Sequence, residues 1–251
     1  MNEILAYIKY GASRKIPFLA VLLDPDKLEV KDLPRLLNKI HKSATTHILV
    51  GGSTVKDGQT QEIVSVIKQL SHLPIIIFPG DTNQICEEAD AILFLSLLSG
   101  NNPDYLIGKH VEAVPKLLNS DLEIIPTAYI LVENGKATAV EKVTETVPIP
   151  NSDINQVVHT AKAGEFLGMQ LCYLEAGSGA NQPIPVDIIK AVKSILNIPL
   201  IIGGGINNMQ GIQKAYDAGA DMVVIGTAFE NDPCFFETTE KINQISHENI
   251  R

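Results

Sequence analysis

The 251-residue chain has no tryptophan, and aromatic residues make up only 5% of it. With so few rings, any core must come from aliphatic side chains. Its three cysteines, Cys86, Cys172 and Cys234, lie far apart and form no C-x-x-C pair, which excludes a disulfide scaffold and fits a reducing compartment. The six histidines never fall in the H-x-x-x-H or H-x-H spacing of a zinc site. No G-x-S-x-G elbow and no G-x-x-x-x-G-K-[ST] loop is present. Positive charge is scarce as well: 20 lysines and arginines against 29 acids leave a net charge of −9. That disfavours a nucleic-acid partner and leaves no polybasic anchor for anionic lipid. No apolar run approaches the ~18 residues of a membrane helix. The start of the chain, with Glu3 and Lys9, lacks the charged-then-apolar order of a signal peptide. A cytoplasmic protein without a transmembrane segment is the expectation. An anionic small molecule stays open as a ligand, because backbone N–H groups or a metal ion act locally whatever the net charge.

What is present is repetition. Hydrophobic residues form 45% of the chain, enough for a sizeable core, and short apolar runs alternate with longer amphipathic stretches. Strands are expected over 18–24, 46–50, 75–78, 91–95, 123–131, 170–175, 200–203 and 222–226. Helices are expected over 33–42, 60–70, 83–88, 105–118, 154–166, 186–196, 209–218 and 234–245, with a small helix before the first strand. Eight such pairs in a chain near the roughly 250 residues usual for the fold predict one α/β domain over 1–251, a (β/α)8 TIM barrel. A doubly wound open sheet is the alternative. Asn134-Gly135 is a hairpin signal, so an extra ribbon is expected at 138–143.

The chemistry gathers at the strand ends, where this fold builds its sites. Strand 7 ends in Gly203-Gly204-Gly205 and strand 8 in Gly226-Thr227. Glycines let backbone N–H groups approach an anion closely, and a following helix N-terminus adds a favourable dipole, so this pair of loops suits a phosphate better than two plain turns would. Strand 6 is the most informative segment. Alternation puts Leu171, Tyr173 and Glu175 inside the barrel and Cys172 and Leu174 outside, and Ala176-Gly177-Ser178-Gly179-Ala180 follows. A buried carboxylate is costly without a partner, so Glu175 is either a working residue or one paired with a rim lysine. On strand 1, Phe18, Ala20, Leu22 and Asp24 share the inner face. A carboxylate there, near a phosphate, invites Mg2+, which keeps waters and takes one or two carboxylates plus phosphate oxygens. Ser53 on strand 2, and Thr127 and Tyr129 on strand 5, also face inward by parity; Tyr129 suits packing and substrate contact equally.

The segments Leu22-Leu23-Asp24-Pro25-Asp26-Lys27, Val50-Gly51-Gly52-Ser53, Tyr173-Leu174-Glu175-Ala176-Gly177-Ser178-Gly179 and Gly203-Gly204-Gly205-Ile206 together resemble the geranylgeranylglyceryl phosphate synthase family, as does the stretch from Ser96 to Pro103. The resemblance spans essentially the whole chain, and the long strand-6 loop is similar to the archaeal-type second group. It implies a TIM-barrel prenyltransferase that joins the C3 hydroxyl of sn-glycerol 1-phosphate to geranylgeranyl diphosphate, releasing diphosphate with Mg2+. Asp24 and Ser53 then stand as Mg2+ contacts. The stretch from Tyr173 to Gly179 (Leu174 and Ala176 included), with Gly204, Gly205, Gly226 and Thr227, stands as the glycerol-phosphate site. Leu22 stands where a longer-chain bacterial branch carries a lysine, which argues against a donor beyond twenty carbons. A homo-oligomer is implied too.

In that chemistry Glu175 is the expected base, with Tyr173 fixing the glycerol backbone. Phe78, Leu95, Leu97 and Leu98 are the expected start of a dry prenyl channel. Rival readings are a synthase of another prenyl length, a phosphosugar isomerase or aldolase, and a non-enzymatic phosphometabolite binder on the same fold. No inward strand lysine supports Schiff-base chemistry.

Overall fold

Each strand is a short, largely apolar run, and both faces of a parallel sheet are covered, so such runs need no polar alternation. In the computed structural model, which describes residues 3–226, these runs form β1 (Phe18–Leu23), β2 (Thr45–Val50), β3 (Ile75–Ile77), β4 (Ala91–Leu97), β5 (Glu123–Leu131), β6 (Leu171–Glu175), β7 (Leu200–Gly203) and β8 (Met222–Ile225). Neighbours pair in parallel, and β1 meets β8 from Phe18↔Met222 to Val21↔Ile225. The result is a closed barrel in the order β1 to β8, and the open-sheet alternative falls away. Parallel pairs need crossovers, supplied by α2 (Leu33–His41), α3 (Gln59–Leu70), α4 (Lys109–Leu117), α6 (Ile154–Phe166), α7 (Val186–Lys193) and α8 (Met209–Asp217).

Parity then sorts the core as the sequence suggests. Phe18, Ala20, Leu49, Tyr129, Leu171 and Tyr173 pack inside the barrel. Leu19, Val21, Ile48, Cys172 and Leu174 pack between barrel and helices. The small leading helix α1 (Glu3–Arg14) plugs the end opposite the functional rim. A helix N-terminus leaves N–H groups unpaired. Here Ile4 and Leu5 donate theirs to Glu123 at 2.8 and 2.9 Å, and Ile8 is fully buried.

Two expectations fail. The helix expected over 83–88 is absent: Thr82–Gln84 makes a single 3-10 turn, and Ile85 returns to extended backbone. The segment between β3 and β4 is short, and Gln84 turns its amide into the protein instead of continuing a solvated helix face. The ribbon expected at 138–143 is instead the helix α5 (Ala139–Thr144), started by a capping box in which Thr138 and Glu141 satisfy each other's backbone N–H groups. Gly135 still turns the chain, with φ at +81°, but into a loop. The stretch expected to be helical from 105 opens as a π turn, Asp104–Gly108, before α4. The helix expected over 234–245, Cys234 and Thr227 lie outside the described residues.

Replacing Glu123 by alanine removes the charged acceptor of two N–H groups at the closed end. Denaturant unfolding should show a loss of about 2 kcal/mol, with turnover unchanged because the substitution lies at the far end of the barrel from the rim.

Candidate active site

The C-terminal strand ends enclose a polar cavity of about 460 Å3. Asp24, Ser53, Tyr129, Tyr173, Glu175, Ser178, Gly179, Gly204, Gly205 and Gly226 all line it, so strands 1, 2, 5, 6, 7 and 8 converge as expected. Three residues of the strand-6 segment do not line it, and one of them, Gly177, turns its N–H back onto Glu175 instead. Leu174 and Ala176 are buried against the helix layer, where strand alternation sends them, and contribute shape rather than side-chain contact.

Glu175 ends β6 at 5% exposure. Burial pushes its carboxyl up from 4.5 to about 7, partly offset by the Gly177 N–H and by the neighbouring Tyr173 hydroxyl. The Gly177 N–H donates to Glu175 Oε1 at 2.6 Å. The Tyr173 hydroxyl lies near enough to favour the carboxylate, yet it is fully enclosed and makes no hydrogen bond of good geometry. No rim lysine pairs with Glu175 among the described residues, so the bland ion-pair reading lapses. A carboxyl balanced near neutrality is what proton transfer at physiological pH requires.

Glycine is required at two points around it. Gly204 has φ of +81°, and a Cβ there would stand 2.4 Å from Glu175 Oε1 and 2.7 Å from the Gly177 nitrogen. Gly203 has the Tyr173 hydroxyl where a Cβ would be, at 2.1 Å. The β6 and β7 loops therefore close directly on Glu175 and Tyr173. Asn134, beyond β5, braces the same loop by donating to the Ala176 carbonyl.

Opposite, Asp24 accepts from the Asp26 N–H at 3.2 Å and pairs with Lys27 at 3.2 Å. A Cβ on Gly52 would lie 2.9 Å from Asp24 Oδ1, so the β1 and β2 loops touch and Ser53 is carried beside the carboxylate. Among the described residues no group of three or more His, Cys, Asp or Glu could hold a metal. One carboxylate beside a hydroxyl nonetheless fits Mg2+, whose remaining ligands are ordinarily water and phosphate.

A second, apolar cavity of about 110 Å3 shares Gly52, Ser53, Phe78, Tyr129 and Val140 with the first. Phe78 stacks on Tyr173 with centroids 5.2 Å apart, and both rings meet Tyr129 edge-on. Leu95 and Leu97 line this cavity as expected. Leu98 does not: it packs outward, near Gly164 of α6. His110 of α4 also lines the cavity, and burial lowers its affinity for a proton.

The fold and the site thus define a (β/α)8 barrel with a glycine-rimmed cavity, a buried carboxyl held near neutrality and an adjoining apolar cavity. The chain matches the PcrB family over residues 13–248 and belongs to it. It is 53% identical to a geranylgeranylglyceryl phosphate synthase of Flavobacterium johnsoniae, over 88% of this chain and 90% of that one. It is 38% identical to the synthase of that name from Pyrococcus abyssi, over 93% and 92%. A crystal structure of (S)-3-O-geranylgeranylglyceryl phosphate synthase from Thermoplasma acidophilum in complex with sn-glycerol-1-phosphate superposes with a TM-score of 0.89 at 32% identity, covering 95% of this chain and 96% of that one. The family resemblance carried by the strand-end motifs is borne out.

Sequence reasoning missed three features of the site. The Thr138-x-x-Glu141 capping box was a legible sign that α5, and with it Val140, would lean over the junction of the cavities. Gln84 and Asn134 gave no sign, since an amide's role depends on which loops it meets.

The burial of Glu175 carries a stability consequence. The folded protein keeps this proton up to about pH 7, whereas an unfolded glutamate releases it near 4.5. The contribution of the protonated form is therefore complete below 4.5 and lost as pH rises through 7. Without ligand, Glu175→Gln should exceed the wild type in stability at pH 8 by up to about 3 kcal/mol, and the gap should close by pH 5. Denaturant midpoints across that range measure it; a constant gap would show that Glu175 is not proton-linked.

Proposed function

We propose that the protein forms an ether between the C3 hydroxyl of sn-glycerol 1-phosphate and C1 of a prenyl diphosphate, with geranylgeranyl diphosphate as donor and diphosphate as leaving group. The observation that carries this reading is the position of Glu175, on the wall of a glycine-rimmed polar cavity that shares Phe78 and Tyr129 with an apolar one. A phosphosugar isomerase has no use for the apolar cavity. Schiff-base aldol chemistry needs a buried inward lysine, and the cavity-lining lysines here, Lys27 and Lys109, are partly exposed and ion-paired.

In this reading the N–H groups of Ser178, Gly179, Gly204 and Gly205 hold the glycerol phosphate. Tyr173 orients the glycerol backbone. Glu175 takes the C3 hydroxyl proton as the new C–O bond forms at C1 and the bond from C1 to the diphosphate oxygen breaks. Phe78, Leu95 and Leu97 hold the prenyl chain and keep water from the allylic carbon. Asp24 and Ser53 would hold Mg2+, which when bound supplies neutralising charge for the departing diphosphate. The relative crystallised with sn-glycerol-1-phosphate supports the acceptor assignment.

Incubating labelled sn-glycerol 1-phosphate with a ladder of prenyl diphosphates should give an ether product, maximal with the twenty-carbon donor. No product at any length would end the reading. kcat/KM should rise with pH through about 7, and Glu175→Gln should abolish that limb at a cost of about 10²- to 10⁴-fold in rate. Asp24→Asn should leave the fold intact and raise the Mg2+ needed for half-maximal rate by about tenfold or more. Unaltered kinetics at limiting Mg2+ would remove Asp24 from the metal site.

A further inference from the structure

The turn that replaces the third helix ends on Gln84, a polar side chain with 0% exposure. Both polar atoms of its amide are bonded. Oε1 accepts from the Gly52 N–H at 3.2 Å and the Gly80 N–H at 3.3 Å, while Nε2 donates to the Gly52 carbonyl at 2.8 Å. The β2–β3 ladder ends at Val50↔Ile77, with Phe78 N–H still donating to the Val50 carbonyl. Gln84 acts as one more rung beyond that point, a side-chain amide pairing with both polar atoms of residue 52.

The backbones around it are too close for side chains. A Cβ on Gly51 would meet the Phe78 carbonyl oxygen at 1.9 Å, and one on Gly80 would meet the Gly52 carbonyl oxygen at 2.3 Å. Gly52 in turn lies against Asp24, and Gly52 and Ser53 belong to the walls of both cavities. Gln84 touches neither cavity's contents; it is absent from both linings. Two of its three bonds end on the Gly52 loop, which touches the carboxylate of Asp24 and borders the apolar cavity, and the third ties in Gly80.

We infer that Gln84 is the positioning residue for the diphosphate end of the site: its amide holds the Gly52–Ser53 loop against Asp24, so that hydroxyl and carboxylate face one diphosphate together. This rests on the prenyl-transfer reading, and it separates the two anion sites. The glycerol-phosphate loops belong to β6 and β7, and none of the Gln84 bonds reaches them. Losing the amide strands the Gly52 and Gly80 N–H groups and the Gly52 carbonyl, and a buried peptide without partners moves until it finds some. Partners one step removed from an ion's ligands ordinarily change its affinity by about 10- to 100-fold.

Two variants test this by calorimetry, with inorganic pyrophosphate plus Mg2+ as one probe and sn-glycerol 1-phosphate as the other. Gln84→Met keeps the volume and removes both hydrogen-bonding functions. It should weaken pyrophosphate binding by about tenfold or more while leaving glycerol-phosphate affinity unchanged, and should raise KM for the prenyl diphosphate alone. Gln84→Glu keeps the acceptor and loses the donor. Its pyrophosphate affinity should be intermediate and should recover as pH falls, because a protonated acid again donates to the Gly52 carbonyl. The Glu variant also carries the test if the Met variant does not fold. Equal losses for both probes, or undiminished pyrophosphate binding in both variants, would overturn the role of Gln84. A wild type that binds glycerol phosphate but no Mg2+-pyrophosphate would overturn the prenyl-transfer reading instead.

Discussion

The structure is organised around one unfavourable act, the burial of the Glu175 carboxyl at the end of β6. Its single strong contact is the Gly177 N–H, two residues along its own chain, and that contact exists only because the β6 loop folds back on the strand end. The fold-back needs room, which Gly203 and Gly204 leave on β7. Asn134 then braces the loop from β5. Three neighbouring strand ends thus adapt to one carboxyl group. The effect is to hold its proton affinity near neutrality, the range in which one group can both accept a hydroxyl proton and release it to water.

A second constraint is that the proposed ligands are amphiphiles. The two cavities answer this by sharing a wall instead of merging. The glycine-rimmed side offers backbone N–H groups and Asp24, whereas the other side offers aliphatic and aromatic carbon. Phe78 and Tyr129 belong to both, and their packing on Tyr173, stacked and edge-on respectively, fixes the boundary. The charged groups that reach the apolar side, Lys109 and Asp81, neutralise each other in an ion pair at 2.8 Å. Even His110, the imidazole on the apolar side, is driven toward its neutral form by burial.

Much of this was legible because barrels translate sequence parity directly into position. Alternation alone placed Tyr173 and Glu175 inside and Cys172 and Leu174 outside, and the strand ranges agree with the structure to within two residues at every end. The same rule misled where a motif was carried over whole: Leu174 and Ala176 belong to the family segment, yet parity turns them away from the cavity. Leu98 was drawn into the expected channel by its neighbours Leu95 and Leu97, but the same alternation that turns those two inward turns Leu98 out against the helix layer. Asn134-Gly135 suggested a hairpin because a turn dipeptide reverses the chain without dictating the element that the chain enters next. The Thr138–Glu141 box, three residues on, decides that this element is a helix.

The departures from a regular barrel fall where the apolar cavity lies. It is bounded by the Phe78–Thr82 loop and Ile85 of the third unit, by both faces of β4, by the inner side of α4, and by Val140, Val143 and Thr144 of α5. Ile92 and Phe94 point away from the barrel axis; a full third helix would pack over such residues and fill the space beside them. Dropping that helix opens the third unit, and adding α5 covers the opening from above. The short turn left in its place cannot hold the β2 and β3 loops by helix packing, so the joint passes to a buried amide. The same economy explains why Gln84 is completely enclosed at a position that a regular barrel would give to a solvated helix face.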